Sequence, residues 1–244
     1  MRLCILLFAA ATVQAATEYR LTIETVGQPL AQPRREVTVL VDGSNWCERE
    51  NGVTTALSND GGQTRIRLDH KLKTWWIEKQ RGVPRALHPM TRGAKVRDLS
   101  VKTSDEPSDQ TFAGFATRKH VIQATYTLVE DYSGTKVPAK QSITISLWTN
   151  DTIAGSMLVP PIHLASGRDE VDAVLAPKIG AVPGFPLKTL FVATRAFEGG
   201  MPQVEMMTAT VDEIRTVAAP PHAFERPSDY VNQEPVITAP GVIQ

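Results

Sequence analysis

Cysteine is nearly absent: Cys4 and Cys47 are the only two in 244 residues, so no disulfide framework can staple the fold. Net charge is missing as well. The chain has 26 Lys and Arg against 26 Asp and Glu, with no basic stripe, which excludes nucleic acid and anionic membrane as partners held by bulk charge. Aromatic residues make up only 6%. The one long apolar run, residues 3–11, is too short to cross a bilayer, so the mature chain is expected to lack a transmembrane segment. Catalytic and metal signatures are missing too. His70, His88, His120, His163 and His222 are spaced too widely for a paired-imidazole zinc motif. No G-x-S-x-G elbow occurs, and glycosidase carboxylate pairs cannot be identified from spacing. No catalytic residue, metal or cofactor is expected, and the chain reads as a non-enzyme.

What is present points first to a compartment. Arg2 precedes the apolar run, and Thr12-Val13-Gln14-Ala15 places small residues at positions −3 and −1 of a cleavage site. Residues 1–15 are thus expected to be a signal peptide cut after Ala15, giving a periplasmic or secreted protein; the alternative is a buried amino-terminal strand. Cys4 lies inside the apolar core, not at its end, so no lipid attachment is expected. That leaves Cys47 as the mature chain's one thiol, read as a small apolar filler with intermolecular pairing as the exception.

Period-two alternation dominates the remainder. Tyr19, Leu21 and Ile23 alternate with polar neighbours, as do Val37, Val39 and Val41, and then Ile66, Leu68 and His70. Asn59-Asp60-Gly61-Gly62 reads as a hairpin turn. Residues 119–129 and 141–148 form long strands, with Ser133-Gly134 and Pro138 marking a longer loop between them. Residues 187–195 and 204–215 repeat the pattern across Glu198-Gly199-Gly200. His70 and His120, in phase with apolar strand positions, read as semi-buried and satisfied. Asp105, Glu106 and Asp109, among serines and Pro107, read as a solvated loop. Asn150-Asp151-Thr152 matches a glycosylation acceptor, relevant only in a eukaryotic host. One helix is expected over residues 168–176, with Ser166 and Asp169 as a capping pair and acidic residues in the first turn. The fold class is mainly β: residues 16–217 form a curved or closed antiparallel sheet with one or two short helices, and residues 218–244, rich in proline, form an extended tail whose last ten residues are mobile. Trp75 and Trp76, adjacent on a strand, must point to opposite faces.

Motif order adds a resemblance. Val41-Asp42-Gly43 is followed by Phe112-Ala113-Gly114-Phe115-Ala116-Thr117, then Ser146-Leu147-Trp148-Thr149, Gly184-Phe185-Pro186-Leu187-Lys188 and Phe224-Glu225-Arg226-Pro227-Ser228-Asp229-Tyr230. This order is similar to an uncharacterised family of exported bacterial proteins that looks related to the LolA-like and LolB-like lipoprotein carriers. The resemblance implies a half-barrel around an apolar cavity. The carriers open with a helix that plugs the sheet, whereas this chain enters a strand at Tyr19, so any plug is expected from residues 157–176. The function expected is non-catalytic binding of an apolar or amphipathic, lipid-like ligand in the concavity. Trp76, Trp75, Ile66, Leu68, Ile143, Ile145 and Leu147 are the candidate lining residues, with Trp76 favoured as the cavity-facing indole. Two alternatives stay open: a cell-envelope structural or interaction module with a protein partner, and an enzyme whose site is assembled from distant residues.

Overall fold

Alternating side chains leave a chain with few helical stretches only one economical way to bury apolar surface, which is to pair strand with strand. The computed structural model describes residues 15–27, 34–61, 64–78, 87, 93–153, 164 and 166–233. The signal-peptide reading (residues 1–14), His88, His163, residues 157–163 of the expected plug and the last ten residues lie outside the described residues. From the amino end come β1 (Ala15–Val26), β2 (Arg34–Asp42), β3 (Asn45–Glu50), β4 (Val53–Ser58), β5 (Ile66–Asp69) and β6 (Thr74–Ile77). A second series follows: β7 (Lys95–Glu106), the small hairpin β8 (Thr111–Phe112) and β9 (Phe115–Ala116), β10 (Arg118–Tyr132) and β11 (Thr135–Asn150). Helix α1 (Asp169–Gly180), β12 (Phe185–Phe197), β13 (Gln203–Ala218) and β14 (Val231–Asn232) complete the chain.

Twelve strands make one sheet in the order β14-β6-β5-β4-β3-β2-β1-β13-β12-β11-β10-β7, not closed into a barrel. The protein is therefore mainly β and built from two antiparallel meanders, joined where β1 pairs with β13. The exception is β14, which runs parallel to β6.

Several local readings are corrected. The connection between β10 and β11 is a two-residue turn, with Ser133 at φ 53° and Gly134 at φ 91°, the positive-φ geometry of tight hairpins. Pro138 lies inside β11, opposite Val129. Counting outward from the hydrogen-bonded Tyr132–Thr135 pair, its nitrogen faces the β12 side, and β12 pairing begins only at Ala139. The missing N–H thus breaks no ladder bond. Asp105 and Glu106 are not loop residues but the end of β7. That strand's alternation is broken by Asp98, at φ 54° in a bulge opposite Thr125–Thr127, so its apolar positions run Val96, Leu99, Val101. His70 sits in the turn after β5 and is exposed, with Nδ1 2.5 Å from the Tyr230 hydroxyl and Nε2 bonded to the Thr54 carbonyl. His120 is buried between Asp105 (2.7 Å) and Thr149 (3.1 Å).

Helix α1 starts one residue later than expected and runs four further, through Pro177. Its capping differs. Arg168 is the N-cap and makes no side-chain cap bond. Asp172 instead accepts the backbone N–H groups of Ser166 (2.6 Å) and Gly167 (3.0 Å), tying the entering chain to the first turn. Val171 and Leu175 are the helix residues buried against the sheet.

Candidate functional surface

Register fixes what each face of the sheet carries. On the helix side, Ile122, Ile145, Phe191 and Met207 stand opposite one another across β10–β13. Ile143, Ile145 and Leu147 have 0% exposure and pack in one cluster with Val171, Leu175, Leu87 and Ala94. The apolar row continues through Leu187, Ala209, Tyr19, Leu21, Val37 and Val39. Burial pushes the Tyr19 and Tyr126 hydroxyls well above the ordinary tyrosine range.

Toward β3–β6 the same face turns ionic. Glu48 is 1% exposed and stands opposite Val39 and Ala56. Arg65 meets it at 2.5 Å, Arg67 at 3.4 Å and Arg35 at 3.7 Å. Arg35 also reaches Glu50 at 2.5 Å, and Glu78 meets Arg65 at 3.0 Å and Arg67 at 3.4 Å. Three guanidinium groups and three carboxylates neutralise one another, so the cluster holds strands together and offers no unpaired charge to a ligand. Trp46 lies under Arg65, 5.6 Å from ring centroid to guanidinium carbon. Trp76, paired with Arg67, is on this ionic side. A second buried pair, Arg195 with Glu130, lies on the same face near the β10–β11 turn, and burial lowers the Arg195 pKa.

The far side of β2–β6 carries Leu40, Cys47, Leu57 and Leu68, with Ile66 and Trp75 against them. The segment after β13 covers this patch through Ala223, Phe224 and Tyr230, and the Arg226 guanidinium lies 4.1 Å from the Trp75 ring centroid. The tail expected to run over the surface is thus seated as far as Gln233. Cys47 has no exposed surface, and burial pushes its thiol up to about 11, which makes it a poor nucleophile. The seven residues expected to line one cavity therefore divide three ways: Ile143, Ile145 and Leu147 in the core cluster shared with Val171 and Leu175, Trp76 beside the ionic cluster, and Ile66, Leu68 and Trp75 under the carboxyl-terminal segment.

The far side of β10–β13 is different again. Three cross-strand rows run Val121-Ser146-Leu190-Thr208, Gln123-Thr144-Val192-Met206 and Thr125-Ser142-Thr194-Val204. Not one of these residues carries a charge, and all but Ser146 keep exposed surface. At strand spacings of ~4.8 Å and a rise of ~3.3 Å per residue, the rows cover about 400 Å². One end is bounded by Lys119, Trp148 and Lys188, the lysines lying 5.4 and 5.1 Å from the indole centroid. At the other, Asp98, Thr127 and Lys140 border an open depression of about 340 Å³. Sequence reasoning missed this surface and the Glu48 cluster alike. The usable signal for the cluster was Glu48/Glu50 and Arg65/Arg67, like charges two apart that come to one face of β3 and β5 on either side of β4.

Among the described residues no group of three or more His, Cys, Asp and Glu side chains is placed to hold a metal, and no helix is long and apolar enough to cross a membrane. No protein-family model and no curated protein matches this chain.

Proposed function

We propose that this chain is an exported, non-catalytic interaction module of the cell envelope that engages a protein partner through the far side of β10–β13. The observation that carries this reading is the absence of charge from twelve clustered sheet positions in a chain with 21% charged residues. Depletion of charge is the compositional mark of an interface core, and hydroxyls can be paired across it without the desolvation cost of ions. The helix-side face, with Ile143, Ile145 and Leu147 fully buried, supplies the rigid support. Four register shifts, at Arg20/Leu21, Glu48/Arg49, Thr125/Thr127 and Trp148/Thr149, support a strongly curved, half-barrel course for the sheet, because bulges bend the strands that carry them. A photoreactive residue at Thr144 or Val192, introduced in the native host, is expected to crosslink to an envelope protein, and Thr125→Glu to abolish the adduct without lowering the melting temperature. Adducts no more abundant than those from Lys178 on α1 would overturn it.

A second reading, binding of a lipid-like ligand, is favoured by one observation: α1 buries only Val171 and Leu175, so a bound chain would displace little to reach the apolar face. It expects a labelled fatty acid to stay with the protein through size separation in a one-to-one ratio. No retained label up to the solubility of the fatty acid would exclude this reading.

A further inference from the structure

The sheet has two edges, and the chain covers one of them itself. At β6, four residues long, the Val231 and Gln233 N–H groups donate to the Lys73 and Trp75 carbonyls, each at 3.0 Å, adding β14 as a parallel strand. At the other edge stands β7, twelve residues long, and among the described residues no strand lies on its outer side. Counting from the hydrogen-bonded Tyr132–Thr135 pair, Thr125, Gln123, Val121 and Lys119 bond to β7 through Ser100, Lys102, Ser104 and Glu106. The backbone N–H and C=O groups of Val101, Thr103 and Asp105 therefore point outward, in regular register beyond the bulge at Asp98. Such a row is a template for another strand.

The two faces of β7 decide what that strand must carry. Val96, Leu99 and Val101 are half-buried against the core cluster of Ile122, Ile143 and Val171, so apolar side chains of an added strand extend that cluster. Lys95, Arg97 and Lys102 point to the far side, opposite Val129, Thr127 and Gln123. All three are exposed, and none makes an ion pair among the described residues. The acids near them are mostly engaged. Glu106 meets Lys119 at 2.6 Å and Asp105 meets His120 at 2.7 Å, which leaves Asp98 at the bulge. A second copy paired edge to edge would bring these basic side chains to the same face as its own. The charge that keeps copies apart thus favours a strand of opposite sign.

We propose that β7 takes up an extended segment of a partner protein, alternating acidic and apolar residues, as a further strand of the sheet. Its carboxylates face Lys102 and Arg97 on the far side, and its apolar side chains lie beside Val101 and Leu99 on the helix side. Backbone bonds to Val101, Thr103 and Asp105 supply affinity, and the alternation of charge and apolar surface supplies selectivity. This site is separate from the uncharged rows on β10–β13 and does not rest on them.

The experiment titrates the full chain with a dye-labelled nine-residue peptide alternating valine and glutamate, capped at both ends. Dye anisotropy gives the affinity and amide exchange of the protein gives the place. A peptide alternating valine and lysine is the control. The expected result is saturable one-to-one binding, at least ten-fold tighter for the acidic peptide and weakened by salt, with exchange slowed at Val101, Thr103 and Asp105. Thr103→Pro removes an outward N–H and spares the β10 ladder, so it is expected to abolish binding at an unchanged melting temperature. Lys102→Glu, an exposed change that leaves the fold intact, is expected to weaken binding several-fold and decides the matter should the proline variant unfold. Equal affinity for the two peptides, protection centred on β14 or on β10–β13, indifference to Lys102→Glu, or no binding up to millimolar peptide would each overturn the proposal. So would protection of these amides in the free protein that vanishes on dilution, the mark of a contact between copies. Val192→Glu, in the middle of the uncharged rows, is expected to leave peptide binding unchanged, so that loss of the envelope crosslinks and loss of the peptide report on different surfaces.

Discussion

Glu48 illustrates how a charged residue with charged neighbours can end up buried. Its neighbours Arg49 and Glu50 suggest an exposed strand, yet register sets its carboxylate among Arg35, Arg65 and Arg67 at 1% exposure. Removing one member of a buried ionic group leaves the others charged and desolvated. Glu48→Ala is therefore expected to cost about 3–5 kcal/mol in urea unfolding, whereas an exposed pair such as Arg20–Glu213 is worth at most ~1 kcal/mol. Asp60 gives the pH-dependent counterpart. It caps the turn after β4, accepting bonds from the Thr64 backbone N–H at 2.9 Å and the Ser58 hydroxyl at 2.8 Å. Bonds from Thr64 first, then Ser58, lower its pKa from 3.8 to about 2. A depressed carboxylate stabilises the fold above its unfolded pKa and loses that contribution as pH falls through the folded value. The melting temperature of Asp60→Ala is expected to lie below that of the parent at neutral pH, the gap narrowing between pH 3.8 and about 2. A gap unchanged across that window would mean the turn is not held by the carboxylate.

At the scale of elements, strands were legible wherever a clean period of two survived. Long β1, β10, β11, β12 and β13 follow from alternation alone, because each has one face buried along most of its length. β7 escaped notice because the extra residue at Asp98 shifts the apolar phase by one, and a two-fold pattern cannot be followed across a bulge. Pro138 misled for a related reason: its tolerance depends on where β12 ends, which no local rule encodes. The opposed directions of Trp75 and Trp76 need only the strand period, but what covers each indole needs the partner strands and the returning segment. Helix α1 was found by its acidic start and its Val171–Leu175 spacing, though its cap was inverted, Asp172 reaching back to Ser166 and Gly167. Since Leu175 is 1% exposed against the β10–β11 core, Leu175→Ala is expected to cost about 2–5 kcal/mol. A cost below ~1 kcal/mol in denaturant unfolding would show that the helix rests on the sheet without stabilising it.

For the whole molecule, the division of labour between two faces is what turns the fold into a functional reading. Long-range pairing across a sheet sorts charge and apolar surface in a way that local sequence does not display: the uncharged rows on β10–β13 draw from four strands spread over almost ninety residues. The account holds that the helix-side face is filled by the chain's own side chains and that binding occurs on the opposite side. Native mass spectrometry of the protein purified from its own host, kept from organic solvent, tests that claim most directly. The expected spectrum shows the bare chain and its multiples, with no lipid-sized adduct. A stoichiometric adduct of lipid mass, removed by solvent extraction and restored by adding fatty acid, would contradict the account and place the ligand against Ile143, Ile145 and Leu147.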